Sequence, residues 1–540
     1  MASCGICFIN KELKDLNNIP FQEIESIPQL IKDFLQGQLL DFNQDLFSIE
    51  NFRQKISTKK DEFTTVQRTI LFEVLKEQLS DIELSQKQKQ HLNSLNDLAT
   101  FTVVTGHQLN LFTGPAFFVY KILQTIKTAD FLNKNFPDSN IVPVFWMATE
   151  DHDFEEINHF KTENNYYEIK GKSGGVVGKI KVEDQYFIHQ FEEEFKDSTY
   201  GTELIRWIKE AYKLGNTLSK ATRILVNRLF SEYGLLIIDG DDERLKNQMK
   251  DIFKDELQNQ SLYHYSQDKV HFLSEKYGKV QVNPRDINLF YLTETRNRIE
   301  FSQGKYKIVD KKISFTEEEI LKELELYPEK FSPNALMRPV FQEKILPNIA
   351  YIGGNAEMMY WMELKDFFKK IKVNFPILIP RNSMLFLKEK TLKKAEKLNL
   401  KIEDFLKNFT HVINENILQN SDLPKLLNEK ETEIKSVFSE ISNRASETDI
   451  TFKNLVLAEE KRQLKSFARM QKRLLRAEKI KQSEKLGRLE NIFLEVHPGK
   501  NWQERVLNYS VFYADEGSDW LHNCYKKMNV EKSELFIIQI

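Results

Sequence analysis

The segment from Phe101 to Phe160 constrains the fold more than any other part of this 540-residue chain. An apolar, β-branched run leads into Gly106, a long amphipathic helix follows, and a second apolar run ends just before Glu150. Strand, polar loop, helix, strand and polar loop in this order are typical of an open parallel sheet. Ligands bind such a sheet outside the carboxyl ends of its strands, so the pattern predicts a binding site at the two polar loops.

Later strand patterns extend this sheet, and inserted segments interrupt it. Buried-strand patterns recur at 234–239, 350–354 and 376–380, with amphipathic helices between them. We therefore predict an α/β fold with a parallel-sheet core in residues 99–382. Its insertions are expected at about 163–233 and 245–330, the second with a β-hairpin near 287–301.

The two ends of the chain differ from this core. Residues 1–98 are predicted to be helical, because apolar residues recur there every three or four positions. Residues 383–493 are poor in glycine and rich in Lys and Glu, which predicts a long helical hairpin with one arm up to about Asn420 and the other from Leu455 to Glu490. Such an arm cannot bury its apolar seam alone, which favours a homodimer, and residues 494–540 are expected to return to the core.

Composition narrows the class of protein. The chain is 41% hydrophobic and its formal net charge is −3, so no global field attracts it to nucleic acid or to an anionic membrane. No apolar run reaches the roughly 18 residues of a membrane span and no signal peptide is visible, so we expect a cytoplasmic protein. Cys4, Cys7 and Cys524 are too few for a disulfide framework, and the Cys4–Cys7 pair lacks the second half of a zinc site.

The first polar loop could approach a ligand closely. Gly106 ends the strand, and His107 and Gln108 follow it; Thr113 and Gly114 form the turn before the helix. Glycine permits close backbone approach, and a helix N-terminus suits phosphate. The spacing matches neither a dinucleotide fingerprint nor a P-loop, and the glycine-rich stretch 171–179 also fails the P-loop pattern. An ordinary turn with a solvent-facing histidine is the alternative.

The second polar loop is strongly acidic. Glu150, Asp151, His152 and Asp153 are followed by Glu155, Glu156 and His159. These carboxylates repel one another unless a cation, a ligand amine or an arginine compensates them. A metal or an ammonium-bearing substrate would satisfy this requirement; a solvated helix N-terminus, where acidic residues are favoured, is the alternative.

Later polar residues are expected at the same sheet edge. Arg338 and Arg381 each adjoin a proline, a rigid setting in which a guanidinium can bind a carboxylate or phosphate bidentately. Each could instead form a structural ion pair. The other candidates in this group are Asp239, Asn334, Gly353, Gly354, Asn355, Glu357 and Tyr360.

Seven blocks, in order along the chain, carry a resemblance to a known family. They are TGHQLNLFTGPAFFVYKI, PVFWMATEDHDFEEINH, GLLIIDGDD, FSPNALMRPVFQ, YIGGNAEMMYW, PILIPRNS and GKNWQERVLN. Together they resemble BshC, the cysteine-adding enzyme of bacillithiol biosynthesis. The resemblance implies a Rossmann-like core with connecting-peptide insertions and a coiled-coil domain used for dimerisation. It also implies amide formation between the carboxyl of cysteine and the amine of glucosaminyl malate, the last step of the pathway.

This resemblance suggests roles for the candidate residues. Amide formation needs an activated carboxyl, for which ATP or another nucleotide is the expected reagent, and no metal is predicted. Asp151 and Asp153 could bind the ammonium of cysteine, and His152 or His159 could act as general base. The family often has Gln at His107, so that imidazole is not expected to be essential. The predicted substrate-binding residues are Gly106, His107, Gln108, Thr113, Gly114, Glu150, Asn334, Arg338, Gly353, Gly354, Glu357, Tyr360 and Arg381.

Two other functions fit the same residues. A non-catalytic scaffold could bind a nucleotide or a sugar acid and associate through the helical arm. A metal-dependent hydrolase could use the acidic loop at 150–153. The two would differ from a ligase in turnover and in sensitivity to chelators.

Overall fold

The computed structural model describes residues 14–278, 282–419, 421–445 and 447–540. The chain divides into two compact units. The first contains Ile27–Phe386 and Gln503–Gln539 together with the N-terminal residues up to Glu23; the second contains Ile24–Ser26, Leu387–Trp502 and Ile540. Cys4 and Cys7 lie outside the described residues, and Cys524 is a buried free thiol.

The strands of the described chain are short and are numbered in chain order. They are β1 (Lys14–Pro20), β2 (Thr100–His107), β3 (Asn140–Met147), β4 (His159–Lys161), β5 (Tyr166–Glu168), β6 (Leu236–Asp239), β7 (Leu289–Leu292), β8 (Arg296–Ser302), β9 (Lys305–Ile308), β10 (Ile313–Phe315), β11 (Phe331–Pro333), β12 (Asn348–Gly353), β13 (Ile377–Pro380), β14 (Ser383–Leu387) and β15 (Glu534–Gln539).

The helices of the first unit surround these strands. They are α1 (Gln29–Leu35), α2 (Ile49–Glu62), α3 (Thr65–Gln78), α4 (Gln86–Ser94), α5 (Phe117–Asn135), α6 (Phe154–Ile157), α7 (Tyr186–Phe195), α8 (Gly201–Ala211), α9 (Leu218–Phe230), α10 (Glu243–Asn247), α11 (Lys250–Asn259), α12 (Ser261–Tyr277), α13 (Glu317–Leu326), α14 (Met337–Ile345), α15 (Asn355–Glu363) and α16 (Lys365–Ile371).

The second unit and the C-terminal segment supply the remaining helices of the described residues. They are α17 (Glu389–Lys397), α18 (Phe409–Leu418), α19 (Leu423–Ala445), α20 (Ile450–Lys481) and α21 (Ser483–Val496) in the second unit, followed by α22 (Ser510–Glu516) and α23 (Ser518–Lys527). None of the helices in the described ranges combines the length and the apolarity needed to cross a membrane.

A five-stranded parallel sheet forms the core of the first unit. Its strand order is β13-β12-β2-β3-β6, and each neighbouring pair is parallel. Counted along the chain, this order is 5-4-1-2-3, the order of a Rossmann sheet, and the prediction of a Rossmann-like parallel core is therefore confirmed. The order reverses between β2 and β12. This topological switch point is where such sheets bind ligands.

The core sheet is buried on both faces, as its almost continuously apolar strands require. Phe101 and Val103 of β2 pack with Ile352 of β12 and with Leu132 of α5 in one hydrophobic cluster. A long helix such as α5 stays on the sheet because this apolar face is removed from water. The cluster fixes the strand ends that carry the candidate site.

The insertion between β6 and β12 forms a second sheet. Its order is β10-β9-β8-β7-β11, and its pairs are antiparallel. The hairpin predicted near 287–301 is confirmed as β7 and β8, with Tyr291 opposite Asn297. The insertion before it, between β3 and β6, contributes helices α7, α8 and α9.

The described part of residues 1–98 is mostly helical, as predicted, with helices α1 to α4, but it also contains a strand that was not predicted. Lys14–Pro20 is strand β1, which pairs antiparallel with β15 near the other end of the chain. This sheet has the order β1-β15-β14. The sequence KDLNNIP has little intrinsic strand propensity, so the pairing depends on a distant tertiary partner.

The helical hairpin of the second unit begins later in the chain than predicted. Residues 383–387 (SMLFL) form the buried strand β14, and the hairpin consists of α19 and α20, which pack against each other. The continuous apolar run at 383–387 is typical of a buried strand, whereas the pattern of a helical hairpin applies only from α19 onward.

We expect a Leu132→Ala substitution to lower the free energy of unfolding by about 2–5 kcal/mol, because the side chain is fully buried in the core cluster. Leu326→Ala is the matched control, since Leu326 is 55% exposed in the same unit, and it should change this free energy by less than about 0.5 kcal/mol. Urea unfolding monitored by tryptophan fluorescence measures both. An equal decrease of the free energy of unfolding in the two variants would contradict the packing of α5 on the sheet.

Candidate functional site

A buried ion pair occupies the topological switch point. The Lys121 ammonium, on α5, donates to the carbonyl of Gly106 at 2.5 Å and to both carboxylate oxygens of Glu357 at 2.6 and 2.7 Å. The Tyr351 hydroxyl, from β12, donates to the same carboxylate at 2.5 Å. Burial alone would raise the pKa of Glu357, but Lys121 and Tyr351 hold it below its ordinary value. Glu357 is therefore an anion with all of its charge compensated by the protein.

Arg338 lies beside this pair without a carboxylate of its own. Its guanidinium donates to Gln342 at 2.9 Å, and the hydroxyls of Tyr351 and Tyr360 are 3.5 and 3.4 Å away. No ion pair is formed by Arg338 within the described residues. A Cβ at Gly106 would lie 3.3 Å from the Arg338 Nη1, so glycine at this position allows the guanidinium to reach the end of β2. The result is a cation at the switch point with the charge of Glu357 nearby but no ion pair of its own in the described part of the chain.

His107 is a neutral imidazole in this site. Its ring lies 5.2 Å from the rings of both Phe117 and Phe118. Burial, with the charge of Lys121 nearby, lowers the pKa of His107 to about 3. Its Nε2 is buried and has no hydrogen-bond partner among the described residues. The alternative of a solvent-facing histidine is thus wrong, because the aromatic residues at the start of α5 enclose the ring.

Arg381 forms a structural ion pair. Its guanidinium binds Glu504 bidentately at 2.6 and 3.1 Å, and both side chains are almost fully buried. The Arg381 guanidinium carbon also lies 4.8 Å from the centre of the Phe117 ring. The guanidinium carbon of Arg505 lies 5.8 Å from the centre of the same ring. Arg505 has no ion pair in the described part of the chain. The substrate-binding role predicted for Arg381 stays a prediction, and Arg505 is the more available guanidinium.

Lysine and arginine compensate the acidic loop. Lys246, whose side chain is fully buried, binds Glu150 at 2.6 Å and Asp241 at 2.9 Å. Burial tends to raise the pKa of Asp151, but its contacts with the side chain and backbone amide of His152, the hydrogen bond from Gln108 and the charge of Arg296 lower it overall. No group of three or more His, Cys, Asp or Glu side chains in the described ranges is arranged to hold a metal ion.

The two histidines of the acidic loop do not come together. His152 precedes α6, and its Nδ1 is 3.1 Å from the Arg296 Nη1, whereas His159 begins β4 and stacks on Tyr166 at 5.1 Å. Asp153 is the N-cap of α6 and accepts from the backbone of Glu156 at 3.4 Å. The loop is therefore neither a continued strand nor a long helix. The catalytic roles predicted for Asp151, His152, Asp153 and His159 stay predictions.

Gln108 connects the two polar loops. Its side-chain amide donates to Asp151 at 2.8 Å and to Glu156 at 2.7 Å. Because His107 faces the switch point and Gln108 faces the acidic loop, the end of β2 contributes to both sides of the site. The glycine-rich stretch packs against the same loop, with the Gly178 amide donating to Thr149 and the Val177 amide to Asp151, both at 2.8 Å.

The turn before α5 is strained and held in place by the C-terminal segment. Phe112 and Thr113 have φ values of +47° and +68°, which non-glycine residues rarely adopt. The Asn508 amide donates to the carbonyls of Phe112 and Gly114 at 2.8 and 2.6 Å. The Ala116 amide, at the N-terminus of α5, donates to the carbonyl of Leu507 at 2.8 Å. The Ala116 amide, one of the backbone donors at this helix N-terminus that could have bound phosphate, thus already has a partner within the protein.

The remaining candidates lie at helix starts. Asn334 accepts from the amides of Leu336 and Met337 at 3.0 and 2.9 Å, which orders the start of α14. Gly353 ends β12, where a Cβ would lie 2.5 Å from the Met358 side chain, and Gly354 donates to Glu357 at 3.2 Å. Substrate binding by these residues stays a prediction.

Sequence reasoning missed several charged residues and one tyrosine of this site. Lys121, Tyr351, Arg296, Lys246 and Glu504 carry no local motif. Only the position of Lys121 one turn into the helix after β2 could have indicated it, since helices that follow a first strand begin near the ligand. The others reach the site from distant parts of the chain.

The fold and site together define a Rossmann-like α/β protein with a cluster of charged side chains at its switch point. The family described as "Bacillithiol biosynthesis BshC, N-terminal Rossmann-like domain" matches residues 15–382, and the corresponding C-terminal coiled-coil domain matches residues 384–540. The chain belongs to the BshC family.

Relatives match nearly the whole chain. A protein of Flavobacterium johnsoniae is 39% identical, with 97% of this chain and 99% of the relative covered. One of Flavobacterium psychrophilum is 38% identical (96% and 99% covered), and one of Staphylococcus haemolyticus is 28% identical (83% and 86% covered). All three carry the name "Putative cysteine ligase BshC".

His107 predicts a pH dependence of stability. The pKa of His107 is about 3 in the folded state and about 6.5 in the unfolded state. Between these two pH values the imidazole binds a proton only in the unfolded state, so the free energy of unfolding decreases as the pH falls. Between pH 7 and pH 5 this loss is about 2 kcal/mol, and His107→Gln should remove it. Urea unfolding at the two pH values measures the difference. An identical pH dependence in the variant would show that the imidazole is not buried as described.

Proposed function

We propose that this chain is a cysteine ligase of bacillithiol biosynthesis that joins the carboxyl of cysteine to the amine of glucosaminyl malate. Membership of the BshC family and the printed name of its relatives support the reaction class. The observation that carries the substrate assignment is Arg338, a guanidinium at the switch point without a carboxylate partner in the described residues. A malyl group, with its two carboxylates, would supply that partner.

The charge balance of the site favours an anionic substrate at Arg338. Glu357 neutralises Lys121, and Glu504 neutralises Arg381, so these two cations are not available to a ligand. Arg338 and Arg505 remain. The planar guanidinium binds a carboxylate through two parallel hydrogen bonds, which gives orientation as well as affinity.

The acidic loop suits the other substrate. Asp151 stays ionised, and its side chain is 26% exposed at the edge of the sheet. An ionised, accessible carboxylate can accept hydrogen bonds from the ammonium group of cysteine. In this proposal the cysteine binds on the β3 side of the site and the malyl group on the β12 side.

The proposed reaction needs an activating co-substrate. The carboxylate oxygen of cysteine would first attack a phosphorus atom of a nucleoside triphosphate such as ATP, which breaks a phosphoanhydride bond. The products are an acyl phosphate with nucleoside diphosphate released, or an acyl nucleotide with diphosphate released. The amine of glucosaminyl malate then forms the carbon–nitrogen bond, the activated oxygen leaves with its group, and the amine loses a proton. The residues of this chain would hold the two organic substrates in reacting geometry.

Thiol profiling tests the proposal. A strain that lacks the gene should accumulate glucosaminyl malate and contain no bacillithiol, as measured by mass spectrometry of labelled extracts. The wild-type gene should restore bacillithiol, and Arg338→Ala should lower its rate of formation by about 100-fold, because a charge-assisted bidentate contact is lost.

Arg206→Ala is the control, since the Arg206 side chain is 69% exposed and away from the sheet edge. It should restore bacillithiol fully. Normal bacillithiol in the deletion strain would refute the ligase. Binding of glucosaminyl malate by the purified protein without any turnover would instead favour the non-catalytic scaffold.

We also propose that the hairpin of α19 and α20 pairs with a second copy of the chain. Both helices expose large apolar side chains, among them Val437 (55%) and Leu455 (54%). Such residues on a helical hairpin are typical of an association surface.

A Val437→Lys/Leu455→Lys double variant is expected to be a monomer by light scattering, while the wild type is a dimer at the same concentration. The control exchanges two exposed charges of the hairpin, Lys430→Gln and Glu433→Gln, and should remain dimeric. A monomeric wild type would contradict this part of the proposal.

A further inference from the structure

We infer that Arg296 holds His152 as the neutral tautomer with its proton on Nε2, so that His152 donates a hydrogen bond to a substrate oxygen and does not act as a general base. The inference rests on the proposed function for the identity of that oxygen. The tautomer itself follows from the geometry around the ring and can be tested without turnover.

The Arg296 guanidinium is fixed on several sides. Its Nε donates to the Ser332 hydroxyl at 3.0 Å, and its Nη2 donates to the Pro333 carbonyl at 2.6 Å. The guanidinium also lies 4.0 Å over the Phe290 ring. Nη1 makes none of these contacts; it lies 3.1 Å from the His152 Nδ1 and 3.8 Å from the Asp151 Oδ1, so His152 is its nearer partner. Strands β7, β8 and β11 of the insertion thus deliver one oriented donor to the edge of the core sheet.

Donor and acceptor chemistry then decides the tautomer. A guanidinium has no acceptor, so the Nδ1 of His152, 3.1 Å from the Arg296 Nη1, must present its lone pair. The competing partner is the Asp151 carboxylate, which would require a proton on Nδ1. It is farther away, at 3.5 Å, and its Oδ1 already accepts from the His152 backbone amide at 2.8 Å. The proton of the neutral ring therefore lies on Nε2.

The Nε2 side of the ring is available to a ligand. Within the described residues Nε2 has no hydrogen-bond partner, and 40% of the His152 side chain is exposed. The backbone is held as well, because the Gly174 amide donates to the His152 carbonyl at 3.3 Å. An oriented N–H group at the carboxyl edge of the sheet is therefore exposed to the site.

This donor suits the oxygen of a reacting carboxyl group. When an amine attacks an activated carboxyl, negative charge develops on the carbonyl oxygen, and a fixed N–H group stabilises that charge more in the transition state than in the ground state. A base on the same ring would need a free nitrogen lone pair, and Arg296 occupies the only one. His152 is then the catalytic residue, and Arg296 is a positioning residue.

The tautomer can be read by long-range proton–nitrogen correlation spectra of protein labelled with ¹⁵N-histidine. At about pH 8.5, above the ordinary histidine value of about 6.5, the ring signals distinguish Nε2–H from Nδ1–H. A His152→Gln variant assigns the His152 signal. We expect Nε2–H in the wild type and Nδ1–H in Arg296→Met, because the Asp151 carboxylate becomes the nearest partner of Nδ1.

Two matched variants complete the test. Arg298→Met, on the same strand but solvent-exposed, should leave the tautomer unchanged, and Arg296→Lys should preserve Nε2–H because an ammonium also only donates. The signals of the other nine histidines of the chain's ten report whether each variant is folded. Nδ1–H in the wild type, or an unchanged tautomer in a folded Arg296→Met variant, would overturn the inference.

A kinetic readout separates this inference from the proposed function. If the ligase reaction is observed, Arg296→Met should lower kcat by about 10- to 100-fold with little change in KM for either substrate, as expected for a donor used in the transition state. If no ligase activity exists, the NMR spectra still test the tautomer of His152, because that measurement does not depend on turnover. An Nε2–H tautomer in an inactive protein would refute the reaction and leave the role of Arg296 intact.

Discussion

The buried pair of Lys121 and Glu357 is the interaction on which the rest of the site depends. It joins α5, which follows the first core strand, to α15, which follows the fourth, across the point where the strand order reverses. A buried ammonium and carboxylate are each costly alone, so the two helices can approach the switch point only as a pair. The contact of Lys121 with the Gly106 carbonyl fixes the end of β2 in the same network.

Because the other buried charges are paired, Arg338 differs from them in having no ion pair within the described residues. In the part of the chain described, the buried charges around the sheet edge have partners: Glu150 has Lys246, Arg381 has Glu504, and Glu357 has Lys121. Arg338 forms hydrogen bonds only with neutral groups, although the charge of Glu357 nearby favours its cationic form. Burying a charge without a hydrogen-bonded partner of opposite charge is unfavourable, and this is the physical basis of the proposal that an anionic ligand binds there.

Local patterns predicted the sheet but not its electrostatics. The apolar runs ending at Gly106, Asp239 and Gly353 correctly indicated buried parallel strands, because both the periodicity and the turn residues are local. Arg296 reaches His152 from a position 144 residues later in the chain, and Glu504 reaches Arg381 from 123 residues later. No spacing rule contains such contacts, since they depend on how the insertion and the C-terminal segment fold back.

The same limit explains the errors. Strand β1 forms because β15 is available to it, and its own sequence does not favour a strand. The acidic loop seemed to require an external cation, since Lys246 and Arg296 are remote in sequence. The family resemblance suggested the reaction, and the geometry then distinguished the residues: Arg381 is already paired, Arg338 is free, and His152 is a donor.

Calorimetric titration of the purified protein with glucosaminyl malate tests the central claim most directly. The wild type should bind this ligand through its malyl carboxylates, and methyl glucosaminide, which lacks them, should bind at least about 100-fold more weakly. Arg338→Ala should remove that difference between the two ligands, while Arg206→Ala should retain it. Equal affinities of the wild type for both ligands, or an unchanged preference in a folded Arg338→Ala variant, would contradict the account.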